Sequence, residues 1–386
     1  MEERARVIIL VIDGGGAGAS EDASRYGDES SANTLANVAR SAGGLQLPNL
    51  ERLGLGCITR MQGVEAALDP LASWARLRES SNGKDSVTGH WEMMGIHIRN
   101  AFPTYPHGFP ASIIERFESL IGRPVLGNVV ASGTEIIERL GPEHTRTGYP
   151  IVYTSADSVF QVAAHENVVS VQTLWKWCEK ARAVLVPPNR VNRVIARPFS
   201  GTPGAYQRTA GRRDYAVAPP SPSMLERLAS AGIPTHAIGK IEDIYCGQGI
   251  ESGSRTADNI EGLAKTVEWL RAGQRGLCFT NLNDFDSKYG HRRDADGFAK
   301  ALLMLDDRLT DIVNEMRPDD RLLLTADHGC DPTAPGTDHT REFAPLLDYT
   351  PGRKGVGHGT VDSFSQVGMR VLASFGVPPP AQELAV

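Results

Sequence analysis

Val7-Ile8-Ile9-Leu10-Val11-Ile12-Asp13-Gly14-Gly15-Gly16 is the stretch on which the fold turns. A continuous β-branched run, closed by an acid and a glycine cluster, reads as a central parallel strand that ends in a loop. The run is too short for a signal-peptide core or a membrane span, and no small-residue cleavage pattern follows it. Asp13 then stands at the C-terminal end of a strand, the edge at which open α/β sheets bind ligands.

Working outward, two later runs have the same form. Gly276-Leu277-Cys278-Phe279-Thr280 precedes Asn281-Leu282-Asn283-Asp284, and Arg321-Leu322-Leu323-Leu324-Thr325 precedes Ala326-Asp327-His328-Gly329. Both read as strands that deliver acids to the same sheet edge. Between them, residues 297–316 carry Phe298, Leu302, Leu305, Leu309, Ile312 and Met316 at helical spacing, with Pro318 closing the helix. Strand, helix, strand is the βαβ unit of a parallel sheet, so the fold class is α/β with a mainly parallel sheet flanked by helices. Proline-rich punctuation at 102–110 and 218–222 marks domain joints. The expected organisation is a discontinuous core, 1–100 and 220–386, carrying a smaller inserted domain at 101–219.

Composition narrows the function. A net charge of −6 over 386 residues argues against nucleic-acid binding, which calls for a basic excess or stripe. The five cysteines show neither pairing intervals nor CxxC spacing, so no disulfide framework and no thiolate zinc site is indicated. A cytoplasmic protein that does not enter membranes is the expectation.

The chemistry lies in dispersed acids and histidines: Asp13; Asp286 and His291 in the loop after the second run; Asp327-His328; and His339 in Asp338-His339-Thr340-Arg341-Glu342. Any one of these alone is most simply a solvated or hydrogen-bonded loop residue. Together, at strand ends, they form an oxygen and nitrogen set able to hold two divalent ions. Such a set suits Mn²⁺, Zn²⁺ or Mg²⁺, with the histidines favouring the first two. Paired ions suit phosphoryl transfer.

Asn82-Gly83-Lys84-Asp85-Ser86-Val87-Thr88-Gly89-His90-Trp91-Glu92 is the second signal. It reads either as a plain helix start, Asp85 and Ser86 being favoured caps, or as a nucleophile loop. In the second reading Ser86 takes a phosphoryl group that meets helix N-terminal amides, with Thr88 as the fallback. A third signal is a concentration of guanidinium groups, including Arg193 and Arg208, suited to phosphate oxygens. Ser155 and Asp157 in Tyr153-Thr154-Ser155-Ala156-Asp157-Ser158 supply groups for sugar hydroxyls, and Lys240 is a further candidate for facing substrate.

Through Gly83-Lys84-Asp85-Ser86, Tyr153-Thr154-Ser155-Ala156-Asp157-Ser158, Arg193-Val194-Ile195-Ala196-Arg197-Pro198-Phe199, Tyr289-Gly290-His291-Arg292-Arg293-Asp294 and Thr325-Ala326-Asp327-His328-Gly329, the chain resembles the phosphopentomutases of the alkaline phosphatase superfamily, nearly end to end. The resemblance implies an alkaline-phosphatase-like core with an inserted α/β cap domain over the sheet edge. It implies two Mn²⁺ ions, one on Asp13, Asp327 and His328, the other on Asp286, His291 and His339. A phosphorylated Ser86 then passes its phosphoryl group to a pentose monophosphate and recovers the other group from the resulting bisphosphate, interconverting ribose 1-phosphate and ribose 5-phosphate. Arg193, Arg208, Ser155 and Asp157 become substrate contacts, and a sugar bisphosphate is the expected activator.

Departures stand beside the likeness. The family usually has threonine where this chain has Ser86, serine where it has Gly14, and an acid where it has Asn33. Near the C-terminus, Asp362-Ser363-Phe364-Ser365 also differs from the usual pattern. These leave room for a modified pentose phosphate as substrate. Rival readings are a phosphate-ester hydrolase or another phosphomutase of the superfamily, and a catalytically silent sugar-phosphate binder.

Overall fold

The computed structural model of the protein describes residues 5–155 and 158–380 and the backbone of 384–385. The chain forms two compact units, Met1–Asn100 with Pro219–Val386, and Ala101–Ala218.

The first unit is built on an eight-stranded sheet. From one edge its strands are Ser252–Ser254, Thr235–Ile238, Gly276–Leu282, Arg6–Ile12, Arg321–Thr325, Ala344–Tyr349, Ser73–Arg78 and Gly357–Asp362. Only Ala344–Tyr349 is reversed, pairing antiparallel with both of its neighbours, so the sheet is mainly parallel. Arg6–Ile12 lies centrally and is buried along its whole length, which is why its sequence is an unbroken apolar run. In register, Val11 stands opposite both Asn281 and Thr325. The three strands therefore release their chains at one level, and the acids that follow emerge on one edge.

Burial explains the flanking layers. Ile8, Leu10 and Ile12 point into a core shared with Leu302, Leu305 and Leu309 of the Ala295–Asn314 helix and with Leu263, Val267 and Leu270 of the Asn259–Arg271 helix. Each such side chain contributes about 1.5–3 kcal/mol by leaving water. The Ala295–Asn314 helix begins earlier than its apolar spacing indicates because the Asp294 side chain accepts the Gly297 N–H at 2.8 Å. Its end is also earlier: Met316 lies two residues past it, its N–H on the Val313 carbonyl, yet still packs against this core. Buried Arg6 pins the start of the central strand, donating to the Leu270 carbonyl at 2.5 Å, the Glu315 carbonyl at 3.0 Å and the Asp320 carboxylate at 3.0 Å.

The second unit carries a six-stranded mixed sheet of Leu126–Val130, Ile151–Thr154, Val159–His165, Arg193–Ser200, Gln207–Arg208 and Arg213–Ala216. Its strands alternate between two apolar layers. Phe160, Val162 and Ala164 pack with the Ala111–Ile121 and Val171–Val184 helices, whereas Tyr153, Ala163 and Phe199 pack with Ile136 and Ile137 of the Gly133–Thr147 helix. Among the described residues, no helix is long and apolar enough to cross a membrane.

Candidate active site and metal centre

Asp13 follows the central strand directly and is fully buried. The turn after it requires glycine. Gly14 has φ +78°, and a Cβ there would stand 2.8 Å from Cys330 Cβ. That turn also aims the Gly14 N–H at Asp327 Oδ1, 3.0 Å away, across the adjacent strand end.

Asp286 and His291 reach the edge through a π-helical turn, Phe285–Gly290, in which the His291 N–H bonds the Asp286 carbonyl at 3.0 Å. The i to i+5 bond of such a turn lets two residues five apart face one side, an arrangement often met at functional sites. His339 is returned to the edge by a bridge between Gly329 and Thr340, with N–H to carbonyl bonds of 3.1 and 2.7 Å.

All six expected ligands meet in the first unit. Asp13, Asp327 and His328 offer donor atoms within 4.8 Å of one another, and so do Asp286, His328 and His339. His291 Nε2 lies 3.4 Å from Asp286 Oδ1, His339 Nε2 lies 3.3 Å from the same oxygen, and the two histidine nitrogens are 3.1 Å apart. Hydrogen bonding assigns tautomers. His291 Nδ1 faces the Thr337 carbonyl at 2.7 Å and His328 Nδ1 the Gly329 carbonyl at 3.1 Å, so each Nδ1–H is used there and each Nε2 points inward, where a cation can take the place of a proton.

Three carboxylate oxygens of the pocket lack a hydrogen bond. Asp13 Oδ1, Asp286 Oδ1 and Asp327 Oδ2 are buried and accept no hydrogen bond. Leaving a buried carboxylate oxygen unsatisfied costs about 1–3 kcal/mol or more. Three such oxygens converging with imidazole lone pairs therefore fit divalent cations, and the hard oxygen and nitrogen set matches Mn²⁺, Zn²⁺ or Mg²⁺. The electrostatics agree. Burial raises the Asp13 carboxyl to about 6, with the Asp327 charge adding to it. Burial pulls His328 down, but Asp327, Asp286 and Asp13 outweigh it and carry the imidazole up to about 10. Burial likewise opposes ionisation of Asp327, yet His328 and His90 hold its carboxyl well below the usual range. The pocket draws positive charge from whatever source is present.

Ser86 opens the Ser86–Met93 helix, and its Oγ lies 3.0 Å from His328 Nε2. Asp85 is the N-cap, accepting the Val87 and Thr88 N–H groups at 3.1 and 3.3 Å. That corrects one expectation: two amides that a phosphoryl group on Ser86 was to meet are already taken by Asp85. Thr88 is fully buried and donates its hydroxyl to Asp85 Oδ2 at 2.6 Å, which occupies the fallback candidate in the cap. Gly89 is what lets this helix approach, since a Cβ there would stand 2.0 Å from the Asp327 carbonyl oxygen.

Lys240 follows the Thr235–Ile238 strand, its Nζ 3.3 Å from Asp13 Oδ2. The remaining substrate candidates belong to the second unit. Ser155 follows the Ile151–Thr154 strand, and Arg193 opens the Arg193–Ser200 strand, 3.7 Å from Asp214. A Cβ at Gly133 would stand 2.4 Å from Arg208 Nη2 and 2.6 Å from the Tyr153 hydroxyl, so these groups crowd the start of the Gly133–Thr147 helix. Asp157 lies outside the described residues.

Sequence reading missed the supporting residues. His90 directs Nδ1–H to the Ser86 carbonyl at 2.8 Å, stands 3.1 Å from Asp327 Oδ2, and accepts from Asn281 Nδ2 at 3.2 Å. Position four after Ser86, on the same helix face, was the available signal. Buried Arg341 donates to the carbonyls of Glu79, Ser81 and Gly83 at 2.7, 2.9 and 2.6 Å, holding the segment that leads to Ser86. Cys330 also joins the set: with Asp286 and His291 it offers donor atoms within 4.8 Å of one another. Asn33, where the family pattern has an acid, caps the Thr34–Ser41 helix by accepting the Ala36 N–H at 3.2 Å.

Comparison with known proteins agrees with this geometry. Residues 5–379 match the family model of the metalloenzyme superfamily. The phosphopentomutase of Clostridium novyi is 51% identical over 97% of this chain and 96% of its own. That of Anaeromyxobacter dehalogenans is 54% identical over 97% of this chain and 95% of its own. A solved structure from Pyrococcus horikoshii covers 98% of both chains with a TM-score of 0.51 at 14% identity, a likeness of fold. The chain belongs to the phosphopentomutase family of the metalloenzyme superfamily and is accordingly an isomerase of the phosphomutase type.

Proposed function

We propose that the chain interconverts ribose 1-phosphate and ribose 5-phosphate, or the deoxyribose pair, through a phosphorylated Ser86 and a pentose bisphosphate. Convergence of the orphaned carboxylate oxygens and imidazole nitrogens beside Ser86 Oγ carries the reading. Asp13, Asp327 and His328 would hold one cation and Asp286, His291 and His339 the other, with Mn²⁺ the expected ion. Bound there, such ions supply Lewis-acid stabilisation of charge on transferring phosphoryl oxygens.

The chain's own residues perform the rest. Asp85 fixes the first turn of the helix, and His90 and Arg341 hold the backbone on either side of Ser86, so Oγ is presented without reorganisation. In the first half-reaction the Ser86 Oγ–P bond breaks as a P–O bond forms to the free hydroxyl of the pentose monophosphate, whose proton ends on Ser86 Oγ and is available for the return step. In the second, the other phosphoryl group returns to Ser86 Oγ and its sugar oxygen takes up a proton. Lys240, close to Asp13, brings a cation to the phosphate being transferred. In the second unit, Arg193, Arg208 and Ser155 are the proposed contacts for the remote phosphate and the sugar, and Asp157 is proposed with them. A cytoplasmic setting fits five free cysteines.

A phosphorus NMR time course with ribose 5-phosphate, Mn²⁺ and a trace of sugar bisphosphate tests the proposal. Growth of the ribose 1-phosphate signal at constant total ester is the expected result. Release of inorganic phosphate in its place would make the chain a hydrolase.

A further inference from the structure

We infer that Cys330 gives the cation site at Asp286 and His291 a sulfur donor, so that this side of the pocket accepts thiophilic ions such as Zn²⁺, Co²⁺ and Cd²⁺ through a metal–sulfur bond. The inference rests on the reading of the pocket as a cation site, and it adds a donor that the oxygen and nitrogen set lacks.

Three observations place the thiol. Cys330, Asp286 and His291 offer donor atoms within 4.8 Å of one another. With metal–sulfur and metal–nitrogen bonds of about 2.3 and 2.1 Å, two ligands of one ion are separated by up to about 4.4 Å, so a small ligand shift closes the set. Asp286 Oδ1, buried in the same cluster, accepts no hydrogen bond and supplies the negative oxygen that such an ion needs. The cysteine is also held from moving away. Its N–H lies 2.9 Å from the Gly14 carbonyl and 3.1 Å from Thr34 Oγ1, and a Cβ on Gly290 would stand 2.5 Å from Sγ. Glycine at 14 and at 290 leaves the room the side chain occupies. When the ion binds, the S–H bond breaks, the sulfur electron pair goes to the metal and the proton goes to solvent.

Cobalt reports both claims separately. Loading the full chain with Co²⁺ gives visible d–d bands if the pocket binds the ion at all, and a near-ultraviolet sulfur-to-cobalt charge-transfer band if sulfur is a ligand. Both are expected in the native protein, and the ultraviolet band alone should vanish in Cys330→Ser. Cadmium NMR of the native protein provides a check independent of any variant, with a resonance in the sulfur-ligated range. Visible bands without the ultraviolet band, together with a cadmium resonance of oxygen and nitrogen ligation, would overturn the inference and leave the cation site standing. Absence of bound cobalt would overturn both.

Discussion

The two halves of the pocket are built differently. Asp13, Asp327 and His328 are at most 1% exposed, and they are braced by the Gly14 amide and by His90, itself held by Asn281. On the other side the His291 side chain is 32% exposed and His339 11%, and both lie on loops closed by a π-turn or a two-residue bridge. The inner half is a rigid, dry cage beside the nucleophile candidate. The outer half is more open to water. Burial decides the energetics: removing a charge from the dry half leaves its partners uncompensated, whereas solvent can replace a ligand in the wet half.

Asp327→Asn should have the largest effect. Loss of one partner from a buried charged set costs about 3–5 kcal/mol, so apparent cation affinity of the inner site should fall by at least about 10²-fold and by up to about 4 × 10³-fold. Metal analysis after gel filtration should then find about one ion per chain fewer than in the native protein. His291→Ala should cost only about tenfold in affinity for the outer ion, because water can complete that side. A His291→Ala loss larger than that of Asp327→Asn, in parallel Mn²⁺ titrations, would reverse the comparison. His90→Gln touches no cation directly and should cost about the same as His291→Ala, lowering inner-site affinity about tenfold through misplacement of Asp327. If its Mn²⁺ titration matches the native curve, the bracing assigned to His90 is wrong.

How far the sequence carried these conclusions differs along the chain. The continuous strand at 7–12 and the runs ending in Thr280 and Thr325 were legible because strands buried on both faces cannot hide their composition. Their level register brings Asp13 and Asp327 together, so the inner half could be read almost completely. The outer half was legible as residue types only. The π-turn joining Asp286 to His291 leaves no periodic trace, and the Gly329–Thr340 bridge spans a loop whose closure depends on tertiary contacts. Cys330 escaped for a related reason: one thiol without a spaced partner carries no metal signature in sequence, and only the packing of Gly14 and Gly290 aims it at Asp286. The reversed direction of Ala344–Tyr349 is set by its pairing with Arg321–Thr325 and Ser73–Arg78, which its own residues do not reveal. The cap reading and the nucleophile reading of residues 85–88 proved compatible, since Asp85 caps the helix while Ser86 Oγ faces His328.

The account rests most directly on Ser86 as the group that carries the phosphoryl. The measurement is peptide mapping by mass spectrometry of the Mn²⁺-loaded protein after brief exposure to a pentose bisphosphate and rapid acid quenching. One phosphoryl group on Ser86, lost on further addition of pentose monophosphate, is the predicted result. An unmodified Ser86 in a protein that is turning over substrate, or a label on Thr88, would contradict it.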